Sequence, residues 1–230
     1  MRAPETTVME LPIFNDNLKS SASWVETLNA EQERWKQAGA SIESLREYQL
    51  EHMLRRSGNS IDRAHLLAAA GKVSAWAREG IFNPDRLLEL HETLTGEKAE
   101  LRTNEPHPLN ALHDPTPAIL LPKMLDLAFD WFSTDSFAEL HPVEQASVVY
   151  LRLLDLHPFP NVIEPTAMLA ASVYTERAGF PPLVILSDDI TQARFAQALE
   201  AAFRMLTQPL VELFAEQLRL AMQQVTQKTT

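Results

Sequence analysis

Prolines separate the predicted helical segments of this chain of 230 residues, which has fifteen prolines and only six glycines. They fall between segments whose apolar residues recur at intervals of three and four, the spacing of one face of an α-helix. Asn83 and Pro84, for example, provide an N-cap followed by proline at the first helical position. Few segments alternate with period two, so the pattern favours helices over strands. The helical spacing is seen at Leu87, Leu88, His91 and Leu94, and again at Phe195, Leu199, Ala202, Phe203 and Leu206.

The same signals predict nine helices and one irregular stretch. Residues 101–117 hold four prolines and are predicted to form an irregular loop or a short hairpin. No linker-like segment divides the chain. We therefore expect an all-α fold, with a helical domain over residues 60–230 preceded by a helical extension over residues 1–59. The predicted helices span about residues 20–38, 42–57, 60–78, 84–95, 118–133, 137–156, 165–178, 188–206 and 209–224.

The composition indicates a folded, acidic protein. Hydrophobic residues make up 45% of the chain, far above the level of disordered chains, and the formal charge is −11. The chain lacks the clustered Lys and Arg that nucleic-acid phosphates require, and it lacks the ~20 apolar residues of a membrane helix. It has no cysteine, which excludes disulfides, and its first residues do not resemble a signal peptide. We expect a cytoplasmic protein that binds neither nucleic acid nor membrane.

His157 is predicted to lie at the end of a helix. Proline disfavours the α conformation of the residue before it, so Pro158 should end the preceding helix at or near His157. The next helix is predicted to begin near Pro165, which leaves a short loop between the two. Pro142, by contrast, is expected at the first position of its helix. On residue chemistry alone, His157 is a boundary histidine whose charge suits the dipole of a helix C-terminus.

His157, Pro158 and Phe159 stand between a predicted helix and a short loop that leads into the next helix. This order resembles the Fic family of protein AMP-transferases, in which a helix delivers a His-Pro-Phe sequence into a loop. The resemblance covers roughly residues 60–220. Upstream, Leu90, His91 and residues 101–103 stand where the family's pre-flap helix and flap begin. The other residues that carry the resemblance are 140–144, Leu156, 178–185, Phe195, Ala198, Leu199 and 209–211.

The resemblance implies transfer of AMP from ATP to a protein hydroxyl. In the family motif a histidine is the general base, an acidic residue holds Mg²⁺, glycines open the backbone to the phosphates, and two arginines neutralise phosphate charge. His157 occupies the position of the base. The other positions depart from the motif: Asn161 replaces the metal-binding acid, Val162 and Glu164 replace the two glycines, Ile163 replaces the asparagine between them, and Pro165 and Met168 replace the two arginines.

The charge along the loop argues against a bound triphosphate. Between Arg152 and Arg177 the chain has no Lys or Arg. Each lost charge-assisted contact typically costs about 1.5–3 kcal/mol, so we expect no nucleotide and no metal in the ordinary pose. Arg102, on the flap-like segment, is a distant cation that could fold toward the loop. His107 and His113 form at most a weak candidate metal site, because no third ligand is evident.

Residues 57–63 resemble the surroundings of an inhibitory motif that many Fic proteins carry. In that motif a glutamate pairs with the second arginine of the His-Pro-Phe motif. Asp62 takes the place of the glutamate here, and Met168 takes that of the arginine, so Asp62 has no expected partner. The alternative is that Ser60 or Asn59 is an ordinary helix N-cap.

Three functions are compatible with this sequence. The first is a degenerate Fic-fold protein that lacks ordinary AMP-transferase activity and serves as a binding or regulatory module for a protein partner. The second is a Fic-type nucleotidyltransferase with an altered loop, which uses His157 as general base and takes ATP and Mg²⁺. The third is a regulatory partner of an active Fic enzyme or toxin. Fold analogy alone does not separate them.

Overall fold

The computed structural model describes residues 22–58 and 60–226, which form ten α-helices and contain no β-strand. This confirms the all-α fold. A short 3₁₀ helix, Ala118–Leu120, leads into α5. The helices are α1 (Ala22–Gln37), α2 (Ile42–Ser57), α3 (Arg63–Glu79), α4 (Pro84–Thr95), α5 (Leu121–Phe132), α6 (Asp135–Ala138), α7 (Pro142–Leu156), α8 (Ile163–Arg177), α9 (Asp189–Phe203) and α10 (Gln208–Thr226).

Helix α8 is the central element of the fold. Every residue from 165 to 176 is buried, and the helix packs against α7, α3 and α4. A helix that is apolar on all sides is stable only when neighbours cover it all round. The loop between α7 and α8 therefore starts and ends on buried helices, which fixes its position at one end of the core.

The first two helices pack on the later ones. Leu28 and Trp35 of α1 are buried in the same hydrophobic cluster as the core of α8, and α1 lies against α10. The Gln32 side-chain amide donates to the Ala178 carbonyl at 3.0 Å, and the Gln49 amide donates to the Leu183 carbonyl at 3.3 Å. The division into an extension over residues 1–59 and a domain over residues 60–230 stays a prediction, and residues 1–21, 59 and 227–230 lie outside the described residues.

One helix begins later than its predicted range. The range predicted from the periodicity, residues 137–156, starts too early, because α6 ends at Ala138 and α7 begins at Pro142. The prediction that Pro142 takes the first position of its helix is confirmed. Proline lacks the N–H that would continue a helix, and it is tolerated at the first position because that N–H has no partner there. The His141 ring caps α7 by accepting from the Val143 amide, and the Glu144 carboxylate accepts from the His141 amide at 2.9 Å.

The proline-rich stretch of residues 101–117 forms turns and bends, so it is the irregular loop of the two alternatives and not the hairpin. Across the part of the chain that the structure describes, none of the helices is both long and apolar enough to span a bilayer.

Candidate functional site

His157 is the C-cap of α7, as Pro158 predicts. Its backbone is left-handed, with φ 46° and ψ 60°, and its amide donates to the Leu153 carbonyl at 3.0 Å. A left-handed residue reverses the chain direction at the end of a helix. This geometry sends residues 158–162 away from the axis of α7 and toward the start of α8.

The His157 imidazole is buried and neutral. Its ring stacks beside that of His113, with centroids 6.2 Å apart and planes inclined by 13°. Burial, and then the nearby His113 and Arg102, lower the pKa of His157 to about 4. Its Nδ1 atom is buried without a hydrogen-bond partner among the described residues. The side chain is therefore in the unprotonated form that a general base requires.

Arg102 anchors the flap-like loop to the end of α7. Its Nε donates to the His157 carbonyl at 2.6 Å, and its Nη2 donates to the carbonyls of Leu156, at 3.2 Å, and Thr116. Its Nη1 donates to the Asn104 carbonyl at 3.0 Å. These bonds satisfy carbonyls at the end of α7 that have no partner within the helix. Nη1 also forms an ion pair with the Glu105 carboxylate at 3.4 Å. The guanidinium is therefore engaged by backbone oxygens and by Glu105, so Arg102 does not supply the free cation considered for a phosphate.

His113 links the same loop to α7. The Leu109 amide donates to His113 Nδ1 at 2.9 Å, which places the proton on Nε2, and Nε2 donates to the Asp155 carbonyl at 3.2 Å. Both ring nitrogens are thus engaged by backbone groups. The suggested metal site at His113 has no support, since no group of three His, Asp or Glu side chains with metal-site geometry occurs among the described residues.

Phe159 and His91 hold the loop against α4. The Phe159 ring is fully buried and stacks on the His91 ring, with centroids 3.8 Å apart and planes inclined by 7°. The Thr166 hydroxyl donates to the Val162 carbonyl at 2.7 Å and accepts from His91 Nδ1 at 3.2 Å. Burial lowers the pKa of His91 to about 4, so this ring is also neutral. The sequence placed His91 on an apolar helix face but did not reveal this role.

Val162, at the first glycine position of the motif, adopts a backbone conformation that suits glycine. Its φ is 50° and its ψ is 27°. A left-handed conformation costs an L-residue roughly 1–2 kcal/mol, and a β-branched side chain makes it rarer still. The loop therefore holds a glycine-like backbone with a valine side chain on it.

Replacing Val162 with glycine is expected to raise the free energy of unfolding by about 0.5 kcal/mol, because relief of backbone strain outweighs the lost contacts and the added freedom of the unfolded chain. The matched control is Val148→Gly, within α7, which should lower it by about 2 kcal/mol. Urea denaturation of the two variants measures the contrast. If both variants lose the same free energy of unfolding, the backbone of Val162 is not strained.

Glu164, at the second glycine position, forms an ion pair with Arg56 of α2. Arg56 Nη2 lies 2.6 Å from Glu164 Oε1, and Arg56 Nη1 donates to Gln192 Oε1 at 2.5 Å. The guanidinium carbon lies 4.7 Å from the centroid of the Phe195 ring. The Arg56 side chain is only 9% exposed. Sequence reasoning did not find Arg56, because it lies far from the motif along the chain.

The remaining positions aligned with the motif carry no charged side chain. Pro165 and Met168, at the arginine positions, are buried, as is Ile163, while Asn161 is exposed. Beside the Glu164–Arg56 pair there is a cavity of only ≈ 10 Å³. That volume holds about one water molecule. Its lining consists of Met53, Arg56, Ser57, Glu164, Pro165, Met168 and Ile185.

Asp62 is the N-cap of α3. Its carboxylate accepts from the amides of Ala64, at 2.7 Å, and His65, at 3.3 Å. The expectation that Ser60 caps this helix is wrong, because the helix starts at Arg63 and the Ser60 hydroxyl donates to the Ser57 carbonyl. Asn59 lies outside the described residues.

The helical fold is similar to that of Fic-domain proteins. Fic-1 from C. elegans superimposes with a TM-score of 0.75 at 18% identity, covering 91% of this chain and 74% of that one. A Fic-domain signalling protein from Bacteroides thetaiotaomicron superimposes with a TM-score of 0.65 at 16% identity, covering 93% of this chain and 92% of that one.

Sequence comparison agrees with the fold. Protein adenylyltransferase fic-1 of Caenorhabditis briggsae is 27% identical over 123 residues, which cover 51% of this chain and 24% of that protein. Protein adenylyltransferase Fic of Nematostella vectensis is 29% identical over 108 residues, which cover 46% of this chain and 25% of that protein. No family model matches the chain. The chain is thus similar in sequence and in fold to Fic proteins, and the match spans about a quarter of the length of these relatives.

Proposed function

We propose that this chain is a degenerate Fic-fold protein that lacks ordinary AMP-transferase activity and serves as a binding or regulatory module in the cytoplasm. The observation that carries the proposal is the Glu164–Arg56 pair, which stands at the start of α8 beside a cavity of only ≈ 10 Å³. In the family, this loop is where glycines leave room for phosphates. Here a carboxylate and its own cation fill the corresponding position.

The electrostatics of the loop support the same proposal. A triphosphate placed at the start of α8 would lie against the Glu164 carboxylate, which is a like charge. Arg56 could neutralise phosphate only by leaving Glu164 and Gln192. Arg102 could do so only by leaving the carbonyls of α7, and unsatisfied buried groups cost about 1–3 kcal/mol each. ATP with Mg²⁺ therefore does not fit the residues of this loop.

Calorimetric titration with ATP and Mg²⁺, together with transfer of labelled AMP to protein, tests the proposal. We expect no saturable binding at millimolar ATP and no transfer, in the wild type and in His157→Asn alike. Asparagine is the matched replacement, because it tolerates the left-handed backbone of His157. Micromolar binding of ATP, or transfer that disappears in His157→Asn, would overturn the proposal.

One observation favours a second candidate, a Fic-type nucleotidyltransferase with an altered loop. His157 keeps the position of the general base, and its pKa, lowered to about 4, leaves the ring unprotonated while making it a weaker base than an exposed imidazole. A neutral imidazole can accept a proton from a hydroxyl. The transfer experiment distinguishes the two candidates, because only this one predicts a signal that depends on His157.

A further inference from the structure

Large apolar side chains are exposed on α5 and on the 3₁₀ helix that leads into it. Ile119 is 88% exposed, and Leu120 and Leu127 are each 48% exposed. Ile119 and Leu120 belong to the 3₁₀ helix, and Met124 and Leu127 lie about one turn apart on α5, where Met124 is partly exposed and also packs against the core. We call Ile119, Leu120, Met124 and Leu127 the α5 face. Exposed contiguous apolar surface typically marks an interaction site.

Exposed carboxylates lie on α5 and on the short helix that follows it. Residues 102–152 contain seven acidic and three basic side chains, and two of the seven carboxylates are engaged, Glu105 by Arg102 and Glu144 by the His141 amide. Asp126 and Asp130 lie on α5 itself and form no ion pair with any described residue. Asp135 and Glu139, at the two ends of α6, are also exposed and unpaired in the described part of the chain. The surface therefore combines exposed apolar side chains with the exposed carboxylates of Asp126, Asp130, Asp135 and Glu139.

We propose that the α5 face is the docking surface for a basic amphipathic helix of a protein partner. Such a helix lays apolar side chains at helical spacing into the apolar face and sets Lys or Arg against Asp126 and Asp130. The charge argues against other occupants. A two-fold pairing with a second copy would bring each cluster of carboxylates against its own counterpart, and anionic lipid and nucleic acid are repelled.

The inference deepens the proposed function, since it names the surface and the class of partner through which a binding module would act. It does not depend on His157 or on the loop before α8. If no peptide binds to the α5 face, the nucleotide experiments still test the proposed function. If ATP binds or AMP is transferred, peptide binding still tests the α5 face.

The probe is a synthetic helical peptide of about 18 residues, with leucine at positions i, i+3, i+4 and i+7 and lysine elsewhere. Fluorescence anisotropy with the wild-type protein should give a dissociation constant on the order of 10 μM at low salt, weakening as salt is raised. A peptide with glutamate in place of lysine should not bind. The variant Ile119→Ser/Leu127→Ser should weaken binding at least ~10-fold, and Asp126→Asn/Asp130→Asn should weaken it about 3-fold and reduce its salt dependence.

Matched controls lie elsewhere on the surface. Ile190, on α9, is 75% exposed, and Ile190→Ser should leave peptide binding unchanged. Glu200→Gln/Glu212→Gln removes two exposed carboxylates on α9 and α10 and should also have no effect. Binding that is absent, or that the α5 variants and the controls weaken equally, would overturn the proposal. So would self-association of the protein, or binding to vesicles of anionic lipid, that Ile119→Ser/Leu127→Ser abolishes.

Discussion

Replacing Arg102 with alanine is expected to lower the free energy of unfolding by about 3–5 kcal/mol. The Arg102 side chain is only 2% exposed and donates to the carbonyls of Leu156, His157, Asn104 and Thr116. Alanine would leave the buried carbonyls of Leu156 and His157 without this donor, and it would remove one of the links between the flap-like loop and the end of α7. The loss therefore combines several charge-assisted hydrogen bonds with the packing of the loop.

Urea denaturation measures this effect against two comparisons. Arg63→Ala removes an arginine whose side chain is 53% exposed and pairs with Glu47, so it should cost less than ~1 kcal/mol. Arg102→Lys should recover little of the stability, because one ammonium group cannot reach carbonyls arranged around a planar guanidinium. A loss in Arg102→Ala no larger than that in Arg63→Ala would show that the carbonyls find other donors.

Local signals predict where the helices lie and where His157 stands. The end of α7 at His157 follows from Pro158, and α4 follows from Asn83, whose side chain caps the helix at the Arg86 amide, 3.0 Å away. Each of these signals acts between residues a few positions apart. Helical periodicity and the effects of proline are properties of short segments, so both can be recognised from the sequence alone.

The start of α8 shows how a local rule can mislead by a few residues. The sequence predicts that the helix begins near Pro165, as proline favours the first position. The helix begins at Ile163, and Pro165 is its third residue. Proline is tolerated there because amides in the first turn have no carbonyl within the helix to bond. The same shift brings Glu164 into the first turn.

The contacts that define the site could not be predicted, because they join distant parts of the chain. Arg56 and Glu164 are 108 residues apart, and Arg102 and His157 are 55 residues apart. Helical periodicity does not indicate which charged side chains form an ion pair. The sequence shows only that the motif arginines and glycines are replaced, and the fold determines that α2 supplies the cation that pairs with Glu164.

Replacing Phe159 with alanine is the second change expected to have a large effect, a loss of about 3–5 kcal/mol in the free energy of unfolding. Phe159 is fully buried, and its ring stacks on His91 at 3.8 Å. Alanine would leave a cavity at the point where the loop after His157 meets α4. The His91 ring would lose its stacking partner, and the hydrogen bonds from His91 through Thr166 to Val162 would lose their support.

Besides lowering the global free energy of unfolding, Phe159→Ala should speed hydrogen exchange locally, at the start of α8. The Thr166 amide donates to the Val162 carbonyl at 3.2 Å, so its hydrogen exchange reports the opening of the first turn of α8. In Phe159→Ala that amide should exchange faster by a larger factor than the amides in the middle of α10, a helix remote from the cavity. Phe159→Leu, which keeps most of the apolar volume, should cost about 1–2 kcal/mol and leave the Thr166 amide largely protected. Uniform acceleration across both helices would mean that Phe159 contributes only to the global core, and the loop would then owe its position to Arg102.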